Sequence, residues 1–395
     1  MKRAGETGRA SSRPPLWRDA RVRGIAAQLL VLALVVAAAA YLVHNTLLNL
    51  QRLGVQTGFG FLSQTAGFDI SQTLIAYDRT WTYGRAFLVG LLNTFYVAIV
   101  GIVLATLVGF VAGIARLSSN WLVAKVAAAY VEVVRNVPLL LQLIVWYVVV
   151  LGGLPAPQNS LVLGEGIFLN VRGLFVPRPL PEEGFGGVLV AAIAAIALAI
   201  ALARWARRRF EATGRGFPVF WTSLALLVGL PLLAFLLLGR PLSFDYPQLG
   251  KFRVTGGLVL LPEFLAMVLG LAIYTAAFIA EIVRAGILAV DRGQWEAAYA
   301  LGLSTGQTLR LVVVPQAMRV IVPPQTSQYL NLTKNSSLGV AIAYPDFFNV
   351  AGTVANQTGQ AVEVIAITMA VYLSLSLAIS AFMNWYNARV KLVER

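Results

Sequence analysis

Eight long apolar stretches are the feature that most limits how this chain can fold. A helix that crosses a bilayer needs about 20 mostly apolar residues, because no water is present there to hydrogen-bond an exposed backbone. Five stretches of that kind contain no Asp, Glu, Lys or Arg, at residues 24–46, 86–115, 186–203, 216–239 and 364–388. Three more carry charges, at 123–151, 258–288 and 314–336. The pattern predicts an all-α integral membrane protein with about eight transmembrane helices.

The composition excludes several classes of function. The chain is 58% hydrophobic and 12% charged, whereas an ordinary soluble domain is near 25% charged. It has no cysteine, which excludes disulfides, thiolate metal sites and cysteine nucleophiles. His44 is the single histidine, so a His-rich haem or zinc site is not expected. We therefore predict no metal and no cofactor bound by this chain.

The basic residues predict the orientation of the spans. Seven lie in the tail before the first span and five lie in residues 204–215, and such clusters stay in the cytoplasm. Threading eight spans from a cytoplasmic N-terminus also puts the C-terminal tail inside. The net charge of +14 then reflects membrane topology, and nucleic acid is not predicted as a partner. The loops predicted to lie outside are 47–85, 152–185, 240–257 and 337–362.

A polar segment with the sequence "DRGQWEAAYALGLSTGQTLRLVVVP", residues 291–315, interrupts two apolar runs on the predicted cytoplasmic side. Asp291 with Gln294, and Ser304 with Gln307, have the spacing of helix N-terminal capping boxes. Gly302 is suited to a left-handed C-cap, and Pro315 should end or kink the second helix. Two short helices are predicted.

The first of these helices places Trp295, Ala298, Tyr299 and Gly302 on one side, with Glu296 and Ala297 turned away. Two interpretations follow from the pattern alone. The segment is either an interfacial helix that anchors the loop at the membrane surface, or a docking knob for a soluble partner.

The string "EAAYALGLSTGQTLRLVVVP" resembles the EAA loop of ABC-importer permeases. Glu296, Ala297, Ala298, Gly302 and Pro315 match that motif position by position. In that family the loop is a coupling helix that sits in a cleft of the ATP-hydrolysing subunit. The resemblance therefore implies that these five residues, with Trp295, couple the chain to an ATPase.

The resemblance extends over residues 85–151 and 258–390. The strings "LLNTFYVAIVGIVLATLVGFVAGIARLS", "YVEVVRNVPLLLQL", "YTAAFIAEIVRAGI" and "PDFF" are similar to the polar amino-acid uptake branch. "RNVP" at 135–138 departs from the usual Arg-Gly-Thr-Pro, and residues 152–257 add two spans to a subunit that usually has five. That insertion, together with "FNVAGTVANQTGQAVE", resembles the long permease subunits of broad-specificity L-amino-acid importers, which pair with a second, different permease.

These observations predict a modular chain. We expect a five-helix permease core with one extra N-terminal span and two inserted spans. The segments are a basic tail 1–23, a first span 24–46, a periplasmic loop 47–85, core parts 86–151 and 258–390, the insertion 152–257, a coupling loop 289–313 and a cytoplasmic tail 391–395. The outside loop 152–185 is expected to form an ordered hairpin or cap that helps to seat a substrate-binding protein.

The sequence has no Gly-x4-Gly-Lys-Ser/Thr motif to hold nucleotide phosphates. The resemblance thus implies that ATP and Mg are bound by a separate ATP-binding subunit, present in two copies. It also implies a second, homologous permease, a periplasmic binding protein, an L-amino-acid substrate and a bacterial inner membrane. An ion-driven secondary amino-acid transporter is the alternative, and it predicts inverted repeats and carboxylates at the bilayer midplane.

Ionisable residues inside spans are costly and mark either neutralised pairs or a solute path. Glu132 and Arg135 are three residues apart, as are Glu281 and Arg284, so each pair can bond on one helical face. Either the pairs neutralise each other for insertion, or they gate or line the path.

Asn331, Lys334 and Asn335 share another face of the seventh span. Lys334 either contacts substrate or extends to the outer interface. Pro138, Pro323 and Pro324 break their spans, and Gly109 and Gly113 permit close helix packing. The candidate path or gating residues are Glu132, Arg135, Asn136, Gln142, Glu281, Arg284, Asn331, Lys334 and Asn335.

Overall fold

The computed structural model describes residues 20–52, 58–251 and 253–390. Most of the basic N-terminal tail and the last five residues lie outside this part of the chain, and so do the predictions made for them. The helices are α1 Ala20–Arg52, α2 Tyr83–Ala115, α3 Trp121–Asn136, α4 Leu139–Ile144, α5 Phe185–Thr213, α6 Val219–Leu237, α7 Pro262–Leu288, α8 Arg292–Ala300, α9 Thr305–Thr308, α10 Val314–Asn335, α11 Phe347–Thr358 and α12 Ala361–Val390.

Within the described residues, six helices are long and apolar enough to cross a membrane. They are α1, α2, α5, α6, α7 and α12. The count rises to eight if each of two bent helix pairs forms one span, which agrees with the eight predicted. The third predicted span is one of these pairs, since α3 meets α4 and its continuation to Leu151 at 106°.

The break between α3 and α4 follows from Pro138. Val137 takes an extended conformation, as expected for a residue that precedes proline. The Gln142 side chain folds back and its Nε2 donates to the carbonyl oxygens of Val134 and Val137, both at 2.9 Å. Gln142 therefore satisfies backbone acceptors that the broken helix leaves without partners.

The centre of the molecule is built on close contact between α2, α7 and α10. A Cβ added at Gly113 would lie 2.7 Å from the Ala280 carbonyl oxygen, and one at Gly109 would lie 2.7 Å from Ile279 Cβ. Gly286 has the same relation to Ile321 on α10, at 2.4 Å. Only glycine fits at these distances, so the predicted packing role of Gly109 and Gly113 is confirmed.

The inserted region is a helix hairpin with a small β lobe at its base, and the expectation of an all-α fold omitted this lobe. An antiparallel sheet has the order β1-β2-β3-β8, and β4 pairs with β5 and β6 with β7. The lobe joins strands that precede α5 to strands that follow α6, as in the pairs Pro181 with Leu242 and Phe175 with Val259. The strands are β1 Leu161–Gly164, β2 Ile167–Asn170, β3 Gly173–Val176, β4 Arg178–Pro181, β5 Leu242–Asp245, β6 Gln248–Leu249, β7 Val254–Thr255 and β8 Leu258–Leu260.

Loops that the topology places on the outside meet at one end of the bundle. Asn93 Nδ2 donates to the carbonyl oxygens of Gln72, at 2.8 Å, and Pro345, at 2.9 Å. A cavity of about 400 Å³ lies between residues 71–74 and 258–261. These contacts bring loops 47–85 and 337–362 together at the end of the bundle where α2 begins, and the side of the membrane that this end faces stays a prediction.

Candidate functional site

The helix α8 has well-formed ends. At its start, Asp291 Oδ1 accepts the amide hydrogen of Gly293 at 2.6 Å, which confirms Asp291 as the N-cap. At its end, the Gly302 N–H donates to the Tyr299 carbonyl and the Leu303 N–H to the Ala298 carbonyl, with Gly302 at φ 76°. This is a Schellman motif, and it places glycine where a left-handed residue is needed.

The two faces of α8 differ in burial. Trp295 packs against the hydrophobic core of the helix bundle and Ala298 is buried, so these two side chains hold the helix in place. Glu296 and Ala297 are exposed, as the spacing predicts. Tyr299 and Gly302 were predicted to share the face of Trp295, but both are exposed, Tyr299 at 47%. Leu301 is 81% exposed. The outer face of α8 is thus a small, partly apolar surface that projects from the bundle.

The second helix of this segment differs from the prediction. Ser304 and Gln307 form the expected capping box, but α9 runs through a wide turn, Leu309–Val313, into α10. Pro315 does not end a helix, because the chain stays helical through it to Asn335. It lies just after the wide turn, where the helix departs from regular α geometry, as expected near a proline that lacks its amide hydrogen. The other box is also incomplete, because Gln294 Oε1 accepts from Gln316 Nε2 instead.

Four charged side chains from three helices meet at Glu281. Arg284 Nη2 donates to Glu281 Oε1 at 2.6 Å, so the predicted pair within α7 is confirmed. Arg116, at the end of α2, bonds the other carboxylate oxygen, and Arg135 Nη1 lies 3.9 Å from it. We call Glu281, Arg116, Arg135 and Arg284 the Glu281 cluster. Three guanidinium groups surround one carboxylate there.

The other predicted pair does not form. Among the described residues no ion pair joins Glu132 to Arg135, because Arg135 reaches Glu281 and lies over the Phe278 ring, 5.1 Å from its centre. The Glu132 side chain is exposed. The backbone carbonyl oxygen of Glu132 accepts a hydrogen bond from Asn136 Nδ2 at 2.8 Å. The pairing of Arg116 with Glu281 was not predicted. The available signal in the sequence is that Arg116 directly follows an uncharged span.

One face of α10, which is the predicted seventh span, carries exposed polar groups. Asn331 and Lys334 are exposed and Asn335 is half-buried, and Pro323, Pro324 and Ser327 continue the exposed stripe. Lys334 also lines a groove of about 420 Å³ between α10 and α12, with Ser337, Thr368 and Tyr372 among its walls. Polar groups on a membrane span are unfavourable against lipid, so this face is suited to another polypeptide or to water.

Relatives of known description match nearly the whole chain. The family of binding-protein-dependent transport system inner membrane components matches residues 187–392. AapQ of Rhizobium johnstonii, a general L-amino acid transport system permease protein, is 52% identical over 95% of this chain and 94% of its own length. YhdX of Escherichia coli, a putative amino-acid ABC transporter permease protein, is 50% identical over 95% of each chain.

A shorter relative shows that this chain carries additional segments. GlnM of Bacillus subtilis, a probable glutamine ABC transporter permease protein, is 32% identical over 99% of its length but covers 56% of this chain. The matching family and the two long relatives agree with the polar segment 291–315, the close helix packing and the apolar spans. The chain belongs to the inner-membrane components of binding-protein-dependent transport systems.

Proposed function

We propose that this permease subunit moves polar or general L-amino acids into the cytoplasm. The observation that carries the proposal is the 52% identity to AapQ over nearly the full length of both chains. We place it in the bacterial inner membrane with both termini cytoplasmic, paired with a second homologous permease. Two ATP-binding subunits and a periplasmic amino-acid-binding protein complete the proposed assembly. Family membership favours this function over an ion-driven secondary transporter.

The coupling to ATP hydrolysis is assigned to α8. Its ends are fixed by Asp291 and Gly302, and Trp295 ties its inner face to the core, so a force applied to the outer face is transmitted to α7 and α10. An ATPase would bind the surface formed by the exposed Glu296, Ala297 and Leu301. Pro315 lies at the start of the span that would then move. ATP and Mg belong to the partner subunit in this scheme.

The charged side chains suggest how a zwitterion could be accommodated. Both oxygens of Glu281 are held by arginines, so Glu281 is a weak acceptor for a substrate ammonium group. The Glu281 cluster carries two more positive than negative charges and is suited to a substrate carboxylate. Lys334, with the amides of Asn331 and Asn335, offers further donors from α10.

The remaining candidates have supporting roles in this proposal. Gln142 and Asn136 stabilise the break after α3, and Glu132 is an exposed carboxylate beside it.

On the predicted outside, β1 presents Val162 and Leu163 at 63% and 60% exposure on a sheet edge, which is suited to a binding protein. Val162→Lys should lower stimulation of ATPase activity by the binding protein. Unchanged stimulation would contradict this role of the lobe.

The coupling role is tested with the complex reconstituted in liposomes. Glu296→Lys, on the outer face of α8, should reduce both amino-acid uptake and transport-coupled ATP hydrolysis at least tenfold while membrane insertion is kept. Glu211→Lys is the matched control, since Glu211 is an exposed acid on another predicted cytoplasmic segment, and it should keep normal uptake. Normal uptake by the Glu296 variant would contradict the docking role.

The assembly and the substrate class are tested separately. The tagged chain, purified from its native host, should bring with it an ATP-binding subunit and a second permease. Uptake of labelled L-amino acids into liposomes should then exceed uptake of a labelled sugar. Recovery of neither partner would contradict the importer, whereas recovery of both without amino-acid uptake would contradict only the substrate assignment.

A further inference from the structure

The end of the α5–α6 hairpin has a concentration of arginines and aromatic rings that the transport function does not explain. We call residues 204–221 the basic tip. It contains five arginines and one acidic residue, Glu211. The apolar part of α5 ends at Ala203, and the helix continues for ten more residues to Thr213. At 1.5 Å per residue, this end extends about 15 Å beyond the apolar part.

The arginines of the basic tip lie on both sides of the end of α5, and two of them have side-chain partners there. Arg204, Arg207 and Arg208 share one helical face by their spacing. Glu211 bonds Arg207 at 3.1 Å, and both side chains are largely exposed. Arg209 lies over the Trp205 ring, 5.2 Å from its centre, so the other side of the helix is also basic. The tip carries an excess of four positive charges, counting five arginines against Glu211.

Exposed aromatic rings lie at the same level as these charges. Trp205 contacts Phe217 edge to face at 5.4 Å, which joins the end of α5 to the turn before α6. Phe220 and Trp221, at the start of α6, are 69% and 70% exposed. Tryptophan and other amphipathic rings concentrate at the headgroup level of a bilayer. The combination of rings, arginines and adjoining apolar helices favours a lipid surface over a soluble protein.

The hairpin also needs a support at this end. In the most apolar 18-residue stretch of α5, 6% is buried inside the protein, and in that of α6 nothing is buried. Other helices therefore cover little of either helix. The opposite end of the hairpin is fixed by the β4–β5 and β3–β8 pairings. A guanidinium group binds phosphate through two parallel hydrogen bonds, and basic residues near a bilayer are attracted to anionic lipids.

We propose that the basic tip binds the phosphate headgroups of anionic phospholipids and so anchors the α5–α6 hairpin in the bilayer. Arg204, Arg207 and Arg208 bind headgroups on one face of α5, and Arg209 and Arg215 do so around the turn. The anchor does not depend on which solute the permease carries.

The test is native mass spectrometry of the full-length chain in detergent, titrated with phosphatidylglycerol or phosphatidylcholine. The wild-type chain should retain phosphatidylglycerol at least tenfold more strongly. Simultaneous Arg207→Gln, Arg208→Gln and Arg209→Gln substitutions should remove most of that preference, while Arg204 and Arg215 preserve the topology signal. The corresponding triple Lys variant keeps the three positive charges but loses the paired guanidinium hydrogen bonds, so its preference should lie between that of the wild-type chain and that of the triple Gln variant.

The matched control neutralises Arg172, Arg178 and Arg240, three exposed arginines of the β lobe. It should leave phosphatidylglycerol retention unchanged. Equal retention by the wild-type chain and the triple Gln variant of the tip would overturn the proposal, as would an equal loss in the control. Displacement of the lipid by millimolar inorganic phosphate would assign the site to a free anion. Loss of a co-purified protein with lipid retention unchanged would assign it to a protein partner, and either result would overturn the lipid anchor.

Discussion

Helices α2 and α5 are equally hydrophobic but differ in how the protein uses them. The most apolar 18-residue stretch of each helix has a mean hydropathy of 2.7. Of that stretch, 39% is buried inside the protein in α2 and 6% in α5. Helix α7 is less hydrophobic, at 2.1, and is the most buried, at 67%. Hydropathy therefore identifies a span but does not tell whether protein or lipid surrounds it.

Small and polar side chains account for the difference. In a bilayer, apolar contact gives little advantage to helix association, because lipid tails are as apolar as leucine. Helix α2 offers α7 the glycines at 109 and 113 and a basic end at Arg116 that bonds Glu281. The apolar part of α5 is also rich in small alanines, but among the described residues its side chains form no ion pair or hydrogen bond with another helix. Packing, rather than hydropathy, separates the permease core from the inserted hairpin.

The largest effect is expected at Glu281. Glu281→Gln removes the one negative charge among Arg116, Arg135 and Arg284. The side chains of this cluster are 14 to 40% exposed, so the loss should cost about 2 to 3 kcal/mol, less than for a fully buried pair. The matched change is Glu211→Gln on α5, whose pair with Arg207 is largely exposed and should cost less than about 1 kcal/mol. Thermal unfolding in detergent measures both. Equal stability of the two variants would mean that the Glu281 cluster does not hold the core helices together.

The sequence predicted those parts of this comparison that are local along the chain. The Glu281–Arg284 pair follows from three-residue spacing on one helix, and the caps at Asp291 and Ser304 follow from side chains within three residues of the amides they bind. The spans follow from hydropathy in the same way. Each of these features depends on residues that are close together in the chain, so the sequence pattern is sufficient to predict it.

Contacts between distant segments could not be predicted in this way. Arg116 and Glu281 are 165 residues apart, and no local pattern indicates that they meet. For the same reason Arg135 was assigned to Glu132, its neighbour along α3, rather than to Glu281. The β lobe pairs strands on either side of a helix hairpin, and its strands are only two to four residues long. Their pairing depends on the hairpin that brings them together.

The next largest difference is expected for matched leucines. Leu271, on α7, is fully buried, and Leu233, on α6, is 54% exposed. Leu271→Ala leaves a cavity in the core, and because lipid gives little transfer advantage the cost should be near the lower end of that for core leucines, about 2 kcal/mol. Leu233→Ala replaces contacts between leucine and lipid with contacts between alanine and lipid, so the free energy of unfolding should change little. Thermal unfolding that gave equal shifts would show that α6 is covered by protein in the membrane.

The last comparison pairs two glycines, for which effects of opposite sign are expected. Gly113→Ala places a methyl group 2.7 Å from the Ala280 carbonyl oxygen and 2.8 Å from Val283 Cβ, so α2 and α7 must separate. Such overpacking costs about 1 to 3 kcal/mol. Gly229, on α6, has no atom within 4 Å of an added Cβ, and alanine there should stabilise the helix by up to about 1 kcal/mol. Unfolding temperatures should therefore fall for Gly113→Ala and stay level or rise for Gly229→Ala. A fall in both would mean that the hairpin is packed against a neighbour as closely as the core, and the distinction between the two regions would be lost.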